Sequence, residues 1–351
     1  MEAEKYKQLR IIFMGTPEFA VASLDALIKA GCNIVGVITA PDKPAGRGMI
    51  LQESAVKKYA VENNLYILQP EKLKNLEFLA TIKSLNADLQ IVVAFRMLPE
   101  IVWNMPSMGS VNLHGSLLPQ YRGAAPINWA VINGEKETGC TTFKLKHEID
   151  TGDILLQESF TIGENETAGE VHDKMKEIGA QLLVKTVKEL AVGTLEERPQ
   201  LSIANGQSSM VNSQFSKEEP GNIEGHSPFT IHHSPFTILN SAKHAPKIFT
   251  ETCQIDWHKN IDEVFNLIRG LSPYPTAFTF LDDKKLKIFI AQKESVKADD
   301  GAGISTGMYD TDKKSYLKFA CKDGFIFIIE LQLEGKKKLK VEDFLRGYRW
   351  E

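Results

Sequence analysis

Two polar residues, Asn112 and His114, stand two positions apart at the end of the apolar run SVNLH. If that run is a strand, both side chains project from one face, because alternate residues of a strand share a face. An Asn amide can donate a hydrogen bond to a developing oxyanion, and an imidazole can stabilise charge or move a proton. A single His after an apolar strand is more often structural, so the interpretation depends on the surrounding residues.

The residues that follow the pair are typical of a loop shaped around a ligand. Gly115 leaves space beside His114, and the sequence SLLP at 116–119 predicts a rigid turn. Arg122 and Gly123 then end the loop. These neighbours favour a functional role for the pair over a structural one.

A carboxylate that could complete the group, Asp150, occurs in the sequence HEIDTGDIL. On its own, Asp before Thr-Gly is typical of an Asx turn, in which the side chain bonds nearby backbone. Beside an Asn-x-His strand end, a buried carboxylate could instead orient and charge the imidazole, as the third member of an acid–base triad does. The sequence therefore predicts that Asn112, His114 and Asp150 act together.

Two other kinds of site are disfavoured. The first strand-to-helix turn, GTPEF at 15–19, lacks the G-x-G-x-x-G glycines that admit a pyrophosphate, so a nicotinamide dehydrogenase is a weak hypothesis. The cysteines are scattered and form no C-x-x-C pair, which predicts buried free thiols and disfavours a disulfide framework or a zinc site. They are Cys32, Cys140, Cys253 and Cys321.

Strands and helices alternate in the first half of the chain and would position these residues. Thr16 is predicted to cap the first helix, with Pro17 at its first position. Thr167 and Glu170 predict a capping box before a later helix. The alternation predicts an α/β fold with an open, doubly wound, mostly parallel sheet, and such sheets bind ligands at the carboxyl ends of their strands. The predicted strands span 10–15, 33–39, 88–95, 110–114, 141–146 and 154–158.

The composition changes after about residue 200. The stretch 205–244 is rich in Ser, Asn, Gly, Pro and His, and it repeats HSPFTI at 226–231 and 233–238. One repeat cannot build a solenoid, and the histidines lack metal-ligand spacing, so we interpret this stretch as a low-complexity linker or insertion. It separates a predicted catalytic domain, 1–204, from a C-terminal domain, 245–351.

The C-terminal domain reads as a short helix followed by strands. Turn residues separate the apolar runs, a spacing typical of a small β-barrel. The helix is predicted at 261–271, and the strands at 276–281, 285–291, 307–309, 316–320 and 325–331.

Charge and hydropathy limit the classes of partner. The chain carries 41 basic and 45 acidic residues, a formal net charge of −4, so nucleic acid would have to be held by a local patch. Lys336, Lys337 and Lys338 provide such a cluster. The apolar run at 11–15 is too short for a secretory signal or a membrane span, which predicts a cytoplasmic protein without membrane contact.

Together, NLHGSLLPQYRGAAPINWA and EIDTGDIL resemble the formyltetrahydrofolate-dependent formyltransferases. The opening RIIFMGTPEFAVASLDAL, the loop TAPDKPAGRG and the tail EGKKKLKVEDFLRG are similar to the branch of that superfamily that formylates the methionyl group of initiator tRNA. The resemblance covers nearly the whole chain except 205–240.

The resemblance implies a Rossmann-like catalytic domain followed by an OB-like, tRNA-binding domain. It implies that Asn112, His114 and Asp150 are catalytic and that the turn Ser116, Leu117, Leu118 and Pro119 contacts the folate. The co-substrate would be 10-formyltetrahydrofolate and the acceptor initiator methionyl-tRNA. No metal is expected, because these side chains already supply oxyanion stabilisation and proton transfer. We expect a monomer.

The resemblance also implies that Arg47 lies against the acceptor end of the tRNA. The chain departs from the family where Arg96, rather than Gly, follows Phe95, and we expect a changed loop there without loss of activity. Two alternatives share the central motifs: a sugar-nucleotide N-formyltransferase, and the folate-hydrolase module of a larger enzyme. A non-catalytic RNA-binding protein is an alternative of a different class, which the intact Asn112, His114 and Asp150 disfavour.

Overall fold

A computed structural model describes residues 2–45, 50–200, 242–295 and 305–350 of the 351-residue chain. The helices are α1 (Glu18–Lys29), α2 (Ala55–Glu62), α3 (Leu76–Ser84), α4 (Glu100–Trp103), α5 (Pro126–Ile132), α6 (Ala168–Val192), α7 (Ile261–Leu271) and α8 (Val341–Gly347). Two short 3₁₀ helices span Glu2–Lys7 and Glu251–Cys253.

The strands belong to a large N-terminal sheet, a C-terminal sheet and two small pairs. They are β1 (Arg10–Gly15), β2 (Asn33–Ile38), β3 (Lys43–Ala45), β4 (Ile50–Gln52), β5 (Ile67–Leu68), β6 (Leu89–Val93), β7 (Ser110–His114), β8 (Arg122–Gly123), β9 (Glu137–Lys144), β10 (Ile154–Thr161), β11 (His244–Ala245), β12 (Ala277–Leu281), β13 (Lys284–Ser295), β14 (Tyr309–Thr311), β15 (Leu317–Ala320), β16 (Gly324–Leu333) and β17 (Leu339–Lys340).

The N-terminal sheet has the order β10-β9-β7-β6-β1-β2-β5. Its strands from β7 to β5 run parallel, and β9 and β10 pair in antiparallel fashion at the other edge. One face packs against α1, α2 and α6, and the other against α3 and α4. The predicted doubly wound, mostly parallel sheet is confirmed.

Local sequence signals locate several elements correctly and one cap wrongly. The predicted bounds of β1, β7 and α7 are those observed, and Thr167 and Glu170 form the predicted capping box of α6. The prediction that Thr16 caps α1 is wrong. The N-cap is Pro17, which offers no side-chain hydrogen bond, and the Thr16 carbonyl instead accepts a bond from the Val56 amide at the start of α2.

The C-terminal sheet is antiparallel, with the order β12-β13-β16-β15-β14 and with β17 added beside β16. Register shifts near Ile288 and Ile290 mark β-bulges in the long β13, and bulges bend a strand and increase its twist. The sheet curls around one core in which Trp257 stacks on Phe319 with ring centroids 4.6 Å apart. This is the form taken by the predicted OB-like domain.

All four cysteines are buried, as predicted. Burial raises the pKa of the Cys32 thiol to about 11, so the group stays protonated at neutral pH. Of the predicted linker 205–244, residues 205–241 lie outside the described part of the chain. In that described part, no helix is long and apolar enough to span a membrane.

The two sheets are joined through helices. α5 packs against α7, and the buried Arg269 of α7 reaches across to the N-terminal region. Its guanidinium donates to the Glu166 carbonyl at 2.9 Å and to the Gly163 carbonyl at 3.4 Å, while Asn266 accepts at 2.8 Å. Burial lowers the pKa of Arg269, and the carboxylates of Glu166 and Glu164 oppose that shift. Arg269 therefore ties two parts of the chain that are about a hundred residues apart in sequence.

Replacing this arginine should weaken the contact between the two sheets. Arg269→Ala removes a buried side chain and the donor to the Glu166 and Gly163 carbonyls, and we expect the free energy of unfolding to fall by about 2–3 kcal/mol in urea denaturation. The matched control is Arg10→Ala, which removes an exposed arginine side chain bonded to one carbonyl and should cost less than about 1 kcal/mol. Equal losses for the two variants would contradict the role of Arg269.

Candidate active site

The central side chains lie at the carboxyl end of β7, between β6 and β9. Asn112 is half-buried and His114 is buried, and the two share a face of the strand as the spacing predicts. No hydrogen bond joins the Asn112 amide to another residue of the described ranges. A partly exposed, unpaired amide beside an imidazole can donate to a substrate oxygen.

A hydrogen bond fixes the orientation of the His114 ring. Nε2 lies 2.9 Å from the backbone carbonyl of Tyr121, and because a carbonyl only accepts, Nε2 carries a hydrogen. The ring also stands edge-on to Phe143, with centroids 6.5 Å apart. The other nitrogen, Nδ1, therefore faces Asp150.

Asp150 faces this nitrogen from a tight turn between β9 and β10. Its Oδ2 lies 3.8 Å from Nδ1 of His114, which is an ion-pair distance longer than a direct hydrogen bond. Oδ2 also accepts a bond from the Gly123 amide at 3.1 Å. Asp150 has φ +55°, a left-handed conformation that Asp tolerates better than most residues. The structure thus brings together Asn112, His114 and Asp150.

The SLLP turn is held by residues of β9 and β10. Thr141 accepts from the Leu118 amide at 3.0 Å and donates to the Ser116 carbonyl at 2.6 Å, and Gln157 donates to the Leu118 carbonyl at 2.9 Å. The Ser116 hydroxyl is buried and bonds the Gln120 carbonyl at 2.6 Å.

The four predicted folate contacts therefore differ in what they present. Leu118 packs into a core cluster with Phe143, and the Ser116 hydroxyl is engaged within the loop. Leu117 and Pro119, which follow His114 closely in the sequence, are half-exposed. The contact of these residues with folate stays a prediction.

The predicted tRNA contacts that fall within the described residues lie away from β7. Arg47 is outside the described residues, so its role stays a prediction. Lys336, Lys337 and Lys338 are exposed on the turn between β16 and β17, in the C-terminal sheet rather than at β7. Lys338 is ion-paired with Glu330 at 2.6 Å. No group of three or more candidate metal ligands occurs in the described part of the chain.

Sequence reasoning missed residues that support the site. Gln200 donates to the Asp150 carbonyl at 2.9 Å, and the backbone of Lys243 bonds that of Tyr121. Neither residue belongs to a motif, and no spacing signal in one sequence could have found them. Arg96 donates to the carbonyls of Pro70 and Glu71 and so fixes the loop after β6.

Family comparison agrees with this architecture over most of the chain. The Formyl transferase family model matches residues 9–187, and the model of the Formyl transferase C-terminal domain matches residues 247–349. The chain belongs to the formyl transferase family.

Its similar relatives include several methionyl-tRNA formyltransferases. That of Bacteroides fragilis is 46% identical over 349 residues, covering 98% of this chain and 96% of the relative. That of Phocaeicola vulgatus is 50% identical over 347 residues, covering 98% and 97%. That of Flavobacterium johnsoniae is 47% identical over 341 residues, covering 97% and 96%.

Solved structures show the same fold at lower identity. The sugar 3N-formyl transferase WlaRD, with dTDP and 5-N-formyl-THF, matches with a TM-score of 0.59 and 20% identity, covering 94% of this chain and 99% of that one. HypX from Aquifex aeolicus, in complex with tetrahydrofolic acid, matches with a TM-score of 0.59 and 15% identity, covering 97% and 48%. At such identities the likeness supports the fold alone.

The turn that carries Asp150 should not tolerate a side chain at Gly152. A Cβ there would stand 1.5 Å from the Lys144 carbonyl oxygen, so Gly152→Ala must displace backbone. We expect a loss of about 1–3 kcal/mol in unfolding free energy and a fall in turnover that persists well below the melting temperature. Gly347→Ala, where a Cβ meets nothing within 4 Å, is the control. Normal turnover in Gly152→Ala would show that the position of Asp150 is unimportant.

Proposed function

We propose that the protein transfers the formyl group of 10-formyltetrahydrofolate to the α-amino group of methionyl-initiator tRNA. The observation that carries the chemistry is the arrangement at the end of β7. There an unpaired amide, that of Asn112, stands beside a histidine whose ring is fixed by Tyr121 and faces a carboxylate. The choice of acceptor rests on relatives 46–50% identical over nearly the whole chain.

The amine attacks the formyl carbon, so a C–N bond forms while the formyl oxygen gains negative charge. Asn112 donates to that oxygen, and donors of this kind contribute about 3–4 kcal/mol of transition-state stabilisation. His114 stabilises the same charge. The C–N10 bond then breaks, and the released products are formyl-methionyl-tRNA and tetrahydrofolate.

Proton transfer involves the other nitrogen of His114. Because Nε2–H is engaged by the Tyr121 carbonyl, the ring exchanges its proton at Nδ1. The Asp150 carboxylate, 3.8 Å away, stabilises the doubly protonated ring. The pair can therefore help to pass the amine proton to the leaving nitrogen.

A direct assay of acceptors tests the proposal. The protein is incubated with 10-formyltetrahydrofolate and either methionyl-initiator tRNA or an amino-sugar nucleotide, and the formylated product is identified. We expect formylation of the tRNA. Formylation of the sugar alone would favour a sugar N-formyltransferase, and binding of tRNA without formylation of either acceptor would favour a non-catalytic RNA-binding protein.

Removal of any of the three central side chains should lower turnover. Asn112→Ala, His114→Ala and Asp150→Ala are each expected to cut turnover by about a hundredfold or more, with folding intact, and their combined losses should be strongly non-additive. The matched control is His172→Ala, which removes a half-exposed histidine 3.3 Å from Asp173. A His114→Ala protein with near-normal turnover would falsify the assignment.

The lysines of the β16–β17 turn should affect tRNA affinity rather than chemistry. Lys336→Ala and Lys337→Ala should each weaken tRNA binding to the same extent for all tRNA sequences. Each should also lower the slope of log Kd against log salt concentration by about one. Lys338→Ala should have a smaller effect, because Glu330 already neutralises it. Lys83→Ala, an exposed lysine on α3, serves as the control. An unchanged slope in both variants would remove this turn from the tRNA interface.

A further inference from the structure

The side chain of Gln200 bonds two separate segments of the candidate active site. Its amide nitrogen donates to the carbonyls of Asp150 at 2.9 Å and Gly152 at 2.8 Å. Its oxygen accepts from Nε of Arg122 at 3.1 Å and from a second guanidinium nitrogen. One half-buried side chain thus joins the turn that carries Asp150 to the loop that follows His114.

The bond from Gln200 to the Asp150 carbonyl holds a residue with an unfavourable backbone conformation. Asp150 holds a left-handed backbone conformation, which a non-glycine residue keeps only when its surroundings fix it. The Gly123 amide holds the carboxylate and Gln200 holds the carbonyl of the same residue. Gln200 also bonds Arg122, the residue directly before Gly123, so the two groups that hold Asp150 are themselves connected.

Lys243 supports His114, the other member of the His114–Asp150 pair, through Tyr121. Its backbone carbonyl accepts from the Tyr121 amide at 2.6 Å, and its amide donates to the Gln120 side chain at 2.9 Å. Its Nζ pairs with Glu135, which also accepts from the Tyr121 hydroxyl. The adjacent β11 then pairs with β8.

These contacts bear directly on the geometry of His114. The carbonyl that accepts from His114 Nε2 belongs to Tyr121, whose φ is +57°. That conformation is a genuine outlier for a bulky residue, so anchors on both sides of the peptide are needed to maintain it. Lys243 supplies one of these anchors through its backbone and another through Glu135.

We propose that Gln200 and Lys243 are positioning residues for the catalytic pair, Gln200 for Asp150 and Lys243 for His114. Gln200 is the last described residue before segment 201–241 and Lys243 is the second described residue after it, so residues at the two ends of that segment hold the two halves of the pair. The inference rests on the proposed function in that Asp150 and His114 are taken to be catalytic.

A double-mutant cycle tests the role of Gln200. Gln200→Glu preserves shape and the acceptor for Arg122 but removes both donors, and we expect kcat to fall roughly tenfold with KM for both substrates unchanged. In an Asp150→Asn background the same change should cost less than about twofold, because Gln200 acts through Asp150. An equal loss in both backgrounds would overturn the proposal and leave Gln200 a merely structural residue.

The role of Lys243 is tested by a matched pair of lysines. Lys243→Met should lower kcat several-fold in the unaltered background and not in His114→Ala, and Lys243→Arg should restore it. The control is Lys174→Met. Lys174 is 44% exposed and pairs with Glu166, whereas Lys243 is 46% exposed and pairs with Glu135. A loss equal to that of the control, or no rescue by arginine, would overturn the role of Lys243.

The assay is run with whichever acceptor the unaltered protein formylates. The identity of that acceptor reports on the proposed function, and the ratio of variant to unaltered rates reports on positioning. The two failures are therefore distinguishable: a sugar acceptor contradicts only the former, and unchanged ratios contradict only the latter.

Discussion

The hydrogen bond from Nε2 of His114 to the Tyr121 carbonyl is the interaction on which the site depends. It fixes which ring nitrogen is engaged and which is free, and the free nitrogen, Nδ1, faces Asp150 at 3.8 Å. A rotation of the ring would break the bond and exchange the roles of the two nitrogens. The loop 115–123 and the residues around it are arranged to keep this one carbonyl in place.

The Tyr121 carbonyl is held in position by contacts with residues that are distant in the sequence. The Tyr121 hydroxyl donates to Glu135 and accepts from Asn133 at 3.1 Å, and burial raises the pKa of this hydroxyl so that it remains a donor. Burial also lowers the pKa of Arg122, opposed by the carboxylates of Asp150 and Glu148. The bonds to Glu135 and Asn133 help to hold Tyr121 in its left-handed conformation.

The elements with strong local patterns could be predicted from the sequence, and the contacts that complete the site could not. The alternation in SVNLH places Asn112 and His114 correctly on one face, and the capping box of α6 is local to Thr167 and Glu170. The bonds of Gln200 span about fifty residues, and those of Lys243 more than a hundred, so no periodicity signals them. The bond from the Ser116 hydroxyl to the Gln120 carbonyl was likewise not signalled by the sequence, and the folate contact of Ser116 stays a prediction.

The antiparallel edge of the N-terminal sheet explains why a mostly parallel fold can close this site. β7 ends at His114, and β9 runs back beside it with Thr141 opposite His114 and Phe143 opposite Asn112. A parallel neighbour would carry its following loop away by a crossover. Here the turn that joins β9 to β10 carries Asp150, whose carboxylate lies 3.8 Å from the imidazole of His114.

The same geometry links the site to the C-terminal sheet. The loop after His114 leads directly into α5, and α5 packs on α7, whose Arg269 bonds carbonyls next to α6. The contact between the C-terminal sheet and the loop after His114 therefore runs through packed helices.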